Sequence, residues 1–158
     1  MAARTNGAAV MRVTDLIAQD HRRVGQMFLE LEQMEAGAGE GRRAMFDRIV
    51  DVLDVHARAE EEVFYPAVRA ASGRIDDAEA SHAHLRAAIA AFRSLGTDAA
   101  DFMLGVQLIK GIVLSHVLEE ESGILMDAQR LDGDELERLG AAMQRRTEAL
   151  TGARARAA

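Results

Sequence analysis

FDRIVDVLDVHARAEEEVFYPA, residues 46–67, decides the fold. Phe46, Ile49, Leu53, His56, Glu60, Val63 and Ala67 follow one another in alternating steps of three and four, the repeat of a helix edge that faces a bundle core. Two polar residues, His56 and Glu60, fall in the same series. At i, i+4 an imidazole and a carboxylate share one face of a helix, and this face is the buried one. FMLGVQLIKGIVLSHVLEE, residues 102–120, repeats the arrangement through Phe102, Val106, Ile109, Val113, His116 and Glu120.

Working outward, a first helix begins near Thr14, read as its N-cap, and runs to about Glu35, where AGAGEG makes a loop marked by Gly37, Gly39 and Gly41. The second runs from about Arg42 to Ala71, closes at Ser72 and Gly73, and carries Pro66, which kinks it or ends its regular hydrogen bonding one turn earlier. A third spans Asp76 to Leu95 and ends at Gly96. Thr97 or Asp98 caps the fourth, which continues to about Arg130. Asp132, with Glu135 three residues on, caps a short fifth helix whose Leu136, Leu139 and Met143 lay it across the bundle. The expectation is an all-α chain. It comprises a flexible N-terminus over 1–13, an up-down-up-down four-helix bundle over 14–130, a short C-terminal helix over 131–151 and a disordered tail over 152–158.

The first helix reads Ile17, His21, Val24, Phe28, Leu31 and the third Ile75, Ala78, His82, Leu85, Ile89, Phe92, so each carries one histidine inside its apolar stripe. A seam takes two of seven positions, and four of five histidines would fall on seams by chance about one time in forty. His21 and His56 are 35 residues apart and His82 and His116 are 34 apart, each pair bracketing one hairpin. Near-equal spacing brings all four to one depth, together with Glu60 and Glu120.

Composition narrows the chemistry. The 158 residues include no cysteine, which excludes disulfides, thiolate metal sites and iron–sulfur clusters. Hydrophobic residues make up 49%, with one proline, one tyrosine and no tryptophan, a mixture that favours helices. The net charge of −7 repels nucleic acid and anionic lipid. The N-terminal stretch has no signal-like apolar run and no segment reads as a membrane span, so a cytoplasmic protein, a monomer or weak dimer, is expected.

Two inward carboxylates are costly unless neutralised, and no lysine or arginine sits near them on the seams, which leaves a cation as their partner. Histidine and carboxylate donors suit iron, manganese or zinc, and six ligands are too many for one tetrahedral zinc. With both glutamates bridging, each of two metals receives two histidines and two carboxylate oxygens and keeps an exchangeable position. That coordination describes a di-iron pair with a solvent-derived oxo or hydroxo bridge.

LIAQDHRRV, HARAEEEVFYP, SHAHLRAAI and SHVLEEE, in that order over about residues 14–126, resemble the hemerythrin and HHE cation-binding family, in its bacterial, mycobacterial-type branch. The resemblance implies iron ligands at His21, His56, Glu60, His82, His116 and Glu120. It also implies a non-haem iron centre that reacts with oxygen or hydrogen peroxide, catalase-like peroxide decomposition being favoured. The alternatives are iron or oxygen sensing, oxygen binding, and nitric oxide or iron handling without turnover. Oxygen carriers of the family have a further histidine one turn after the third-helix ligand, where this chain has Arg86, and this departure points away from reversible carriage. His84 should face outward, and Tyr65 enters the site only if the Pro66 kink turns it inward. Glu61, Glu62, Glu119 and Glu121 are solvated or orient imidazoles, and Met27, Met34, Met45, Met103 and Met126 fill core gaps.

Overall fold

A computed structural model describes residues 10–35, 38–94 and 99–157. Helix α1 spans Val13–Gln33 and α2 Gly39–Ala59; α2 runs into a π-helical turn, Glu60–Phe64, and then the one-turn α3, Tyr65–Val68. Next come α4 (Ile75–Ser94), α5 (Ala99–Ser122), α6 (Ile124–Ala128) and α7 (Gly133–Ala157), and no strand occurs among the described residues. α1 packs on α2 and α4 on α5, the two hairpins of the expected bundle.

The helix ends depart from expectation in ways that burial explains. Thr14 does not cap α1: it lies in the first turn, its buried hydroxyl has no partner, and Arg12 takes the N-cap position without a side-chain bond. Burial of Val13 and Ile17 sets where this helix starts. α2 begins at Gly39, so Gly39 and Gly41 are helical and not loop. The expected loop glycine Gly37, the helix end at Leu95 and Gly96, and the caps Thr97 and Asp98 lie outside the described residues.

α5 stops at Ser122, well short of Arg130. Gly123 follows it, where a Cβ would meet the Glu119 carbonyl and the Arg74 side chain. The C-terminal helix is long, not short: α7 has 25 residues, and its last turns take up the segment expected to be a disordered tail. Asp132 does cap it, accepting from the Glu135 N–H at 3.0 Å, and Leu136, Leu139 and Met143 are buried as their spacing predicts. α7 lies against α1 and α2. Leu150 is buried and Arg154 pairs with Asp51 and Asp54 of α2, which ties down the end that composition suggests should fray.

Two apolar clusters fill the interior. One joins Phe28, Phe46, Ile49, Leu85, Val106 and their neighbours at the end of the bundle near the α1–α2 turn. There Phe92 meets Phe46 edge to face at 5.3 Å and packs onto Gly105, where any Cβ would strike the ring. The other joins Ile17, Phe64, Tyr65, Ile124 and Met143 at the opposite end. Burying each such side chain stabilises the fold by roughly 1.5–3 kcal/mol. Between the clusters lies one polar layer, and that layer holds the candidate site.

One stretch, Asp101–Ala128, is long and apolar enough to cross a membrane by length and composition, with mean hydropathy 1.4, contrary to the sequence expectation. One face carries His116 and Glu120 into the bundle interior, while only 33% of its most apolar part is buried. Of the methionines, Met45 is buried and Met27, Met34 and Met103 pack partly against the core, but Met126 is 63% exposed and fills no gap.

Candidate metal centre

His21 on α1, His56 on α2, His82 on α4 and His116 on α5 meet in the polar layer with Glu60 and Glu120, and all six are buried. The layer forms because each sits in its helix stripe where an apolar residue would otherwise stand. Two groups of donors result. His21, His56, Glu60 and Glu120 offer atoms all within 4.8 Å of one another, and so do Glu60, His82 and His116. Glu60 belongs to both groups. Seam spacing alone places both glutamates between two metals; Glu120 falls in one group, with its Oε1 accepting from Tyr65 and its Oε2 3.7 Å from His116 Nε2 of the other.

The π turn brings Tyr65 inward. Its N–H bonds to the Glu60 carbonyl, an i+5 step that puts Tyr65 and Glu60 on one side of the chain, where an α-helix would separate them by more than a third of a turn. The phenol is fully buried and donates to Glu120 Oε1 at 2.8 Å, with Glu60 Oε2 at 3.4 Å. Burial, then the charges of Glu60 and Glu120, push its acidity far down and keep the proton on the oxygen.

The outer nitrogens of the imidazoles are held in turn. Glu121 lies 2.9 Å from His21 Nδ1 and Glu61 lies 3.0 Å from His82 Nδ1, contacts that orient a ring and leave Nε2 facing inward. Arg86 does not reach toward the centre: it clamps Glu61 with two hydrogen bonds of 2.9 and 3.0 Å. Glu62 instead pairs with Arg146 and Arg58, and Glu119 with Ser115. Asp20, which seam spacing does not single out, has a carboxylate oxygen 3.6 Å from His56 Nδ1. Its place directly before His21 is the signal the sequence offers. His84 is exposed on the far side of α4.

The inner atoms are poorly served by the protein itself. His21 Nε2 lies 3.2 Å from Glu120 Oε2 and His56 Nε2 lies 3.0 Å from Glu60 Oε1, yet all four atoms are buried without a hydrogen bond. His82 Nε2 and His116 Nε2 approach to 3.0 Å, a contact that needs a proton or a cation between two lone pairs. Electrostatics tell the same story. Burial opposes charge on Glu60, but His56 and His82 outweigh it and hold the carboxyl ionised. Burial opposes charge on His56 as well, and Glu60 overrides it. Burial and then His82 push His116 down to about 4, a neutral imidazole. Burial and the Glu60 charge push Glu120 up. A carboxylate pair that pulls protons onto its histidines is short of positive charge, and a metal cation supplies that charge with donors matched to nitrogen and oxygen. The residues present fit a bound metal.

The profile of the hemerythrin HHE cation binding domain matches residues 12–128. The chain belongs to the hemerythrin HHE cation-binding family. The crystal structure of a hemerythrin HHE cation binding domain-containing protein from Mycobacterium kansasii superposes with a TM-score of 0.80 over 90% of this chain and 89% of that one, at 24% identity, a likeness of fold. A protein of Nostoc sp. named a DNA nickase is 32% identical over 114 residues, which are 71% of this chain. The chain spans about a third of that relative's length, 32%. Within this family the buried His/Glu layer is a site able to bind metal.

Proposed function

We propose that this HHE domain holds two iron ions and decomposes hydrogen peroxide. His21, His56, Glu60 and Glu120 would hold one ion and Glu60, His82 and His116 the other. The observation that carries the proposal is the pair of buried donor groups sharing Glu60, in which His21 Nε2, His56 Nε2, Glu60 Oε1 and Glu120 Oε2 have no hydrogen-bond partner and His82 Nε2 has only His116 Nε2.

When bound, an iron pair would supply two-electron redox chemistry. The overall reaction balances: one peroxide loses two electrons and two protons to give oxygen, and a second takes them up to give two waters. The chain's own part is to position and exclude. Glu61 and Glu121 fix the rings of His82 and His21, and the apolar clusters above and below keep bulk water away. Tyr65 holds a proton against the Glu120 carboxylate. A cleft of about 400 Å³ between α2 and α4, lined by Leu53, His82, Leu85 and Arg86 among others, gives a small molecule a way to the edge of the layer. Inside it a space of about 20 Å³ touches all four histidines, enough for a ligand the size of water.

The test follows oxygen with an electrode after peroxide is added to iron-loaded protein, with the Glu60→Ala protein and equivalent free iron as controls. Oxygen release well above both supports the proposal. Release no faster than either removes the catalatic function, and a spectrum that cycles with oxygenation would restore oxygen carriage in its place.

A further inference from the structure

α5 is apolar on both faces. Its inward face carries His116 and Glu120; its outward face leaves Leu104, Leu108, Leu114 and Leu118 exposed by 62, 64, 49 and 69%. Between Phe102 and Leu118 the exposed positions are these four leucines with Gln107, Gly111 and Ser115, and none is charged. Lys110 is turned aside and bonds to Glu32 of α1 at 2.6 Å. A strip of this extent is comparable to the largest apolar patch of a typical monomer, and such patches are often functional.

We propose that this strip is the contact surface of a symmetric, antiparallel dimer of the chain, with the two-fold axis at Gly111. The helix period alone repeats positions three, four and seven residues to either side of any residue on a face. What belongs to this sequence is the matching of residue types about Gly111. Leucines stand three away, at Leu108 and Leu114, and seven away, at Leu104 and Leu118; polar Gln107 and Ser115 stand four away on each side. An antiparallel second copy therefore sets leucine at the height of leucine and Gln107 at the height of Ser115, the self-complementarity that a two-fold interface requires. At the centre a Cβ on Gly111 would meet nothing within 4 Å, so two helices have room to approach closely there.

Charge argues for the same occupant. Each chain carries −7 and repels a second copy over most of its surface. The uncharged strip is where two copies can touch, and antiparallel pairing lays each helix dipole against its opposite. The four leucines offer on the order of 400 Å² per chain, about 800 Å² in all and below the size of standard specific interfaces, so the dimer is a weak one that forms only at high protein concentration.

Sedimentation equilibrium over a range of concentrations tests the oligomeric state. The wild type should move from 17.2 kDa toward twice that mass, and Leu108→Glu, at an exposed position, should remain monomeric with unchanged helix content and metal loading. Because the chain has no cysteine, Gly111→Cys provides a second test that needs no loss of binding: it should form a disulfide-linked dimer under mild oxidation, and Arg130→Cys, exposed elsewhere, should not. A wild type that stays monomeric at several hundred micromolar overturns the proposal. So does a dimer that survives Leu108→Glu, equal crosslinking of the two cysteine variants, or a strip that binds phosphatidylcholine vesicles while the protein in solution remains monomeric.

Discussion

The chain carries the pattern HxxxEE twice, at His56–Glu61 and His116–Glu121, and the two arms are built alike but held differently. In each, the first glutamate turns inward and the second reaches Nδ1 of a histidine on another helix, Glu61 to His82 and Glu121 to His21. After the first arm the helix widens into a π turn; after the second it breaks at Gly123. Glu60 stands in both donor groups, whereas Glu120 stands in one and takes the shorter of the two Tyr65 hydrogen bonds. Spacing decides which residues face inward, and the π turn after the first arm brings Tyr65 onto both inward carboxylates.

The largest expected effect separates the two inward glutamates. Glu60→Ala removes a donor from both groups and should leave almost no iron, while Glu120→Ala should retain about half, as metal analysis of the loaded variants will show. Glu60→Ala also leaves buried imidazoles without their counter-charge, a change of roughly 3–5 kcal/mol in denaturant unfolding of the metal-free protein. Equal loss of iron from both variants would erase the asymmetry.

The second glutamates give the next contrast. Glu61→Gln and Glu121→Gln should each weaken iron binding by about 10–100-fold in competition with a chelator. Glu61→Gln should be the worse of the two, because the Arg86 clamp that stiffens Glu61 has no counterpart at Glu121 among the described residues. A larger effect at Glu121 would mean that the clamp does not matter for orientation.

Tyr65→Phe probes the π turn. It leaves Glu120 Oε1 buried without its donor, at a cost of about 1–3 kcal/mol in stability, with the iron count unchanged. A variant as stable as wild type would show that the hydroxyl contributes nothing there. The smallest effect belongs to His84→Ala, which should alter neither iron content nor stability by more than about 0.5 kcal/mol; iron loss as full as in His56→Ala would bring His84 into the site.

Much of the bundle and of its polar layer is legible in the amino-acid sequence. The seams of α2 and α5 can be read because burial imposes steps of three and four on polar and apolar residues alike, and the same rule separates His82 from His84. Tyr65 is only half legible: Pro66 signals a broken hydrogen-bond pattern, but a π turn and an α kink put residue 65 on different faces, and propensity does not choose between them. The end of α5 escapes the sequence because the need for glycine at position 123 comes from Arg74 and the Glu119 carbonyl, contacts that no local pattern reveals. The length of α7 escapes it for a related reason. Its tail GARARAA has no apolar stripe, and it is fixed by the pairing of Arg154 with Asp51 and Asp54, about a hundred residues away.

The most direct measurement is the iron content of protein reconstituted under reducing conditions and freed of excess metal, read with its near-ultraviolet spectrum after exposure to air. Close to two irons per chain and an oxo-bridge absorption band are expected, both lost together in Glu60→Ala. One tightly held metal per chain with no such band would contradict the iron pair, and would make the shared position of Glu60 a feature of packing alone.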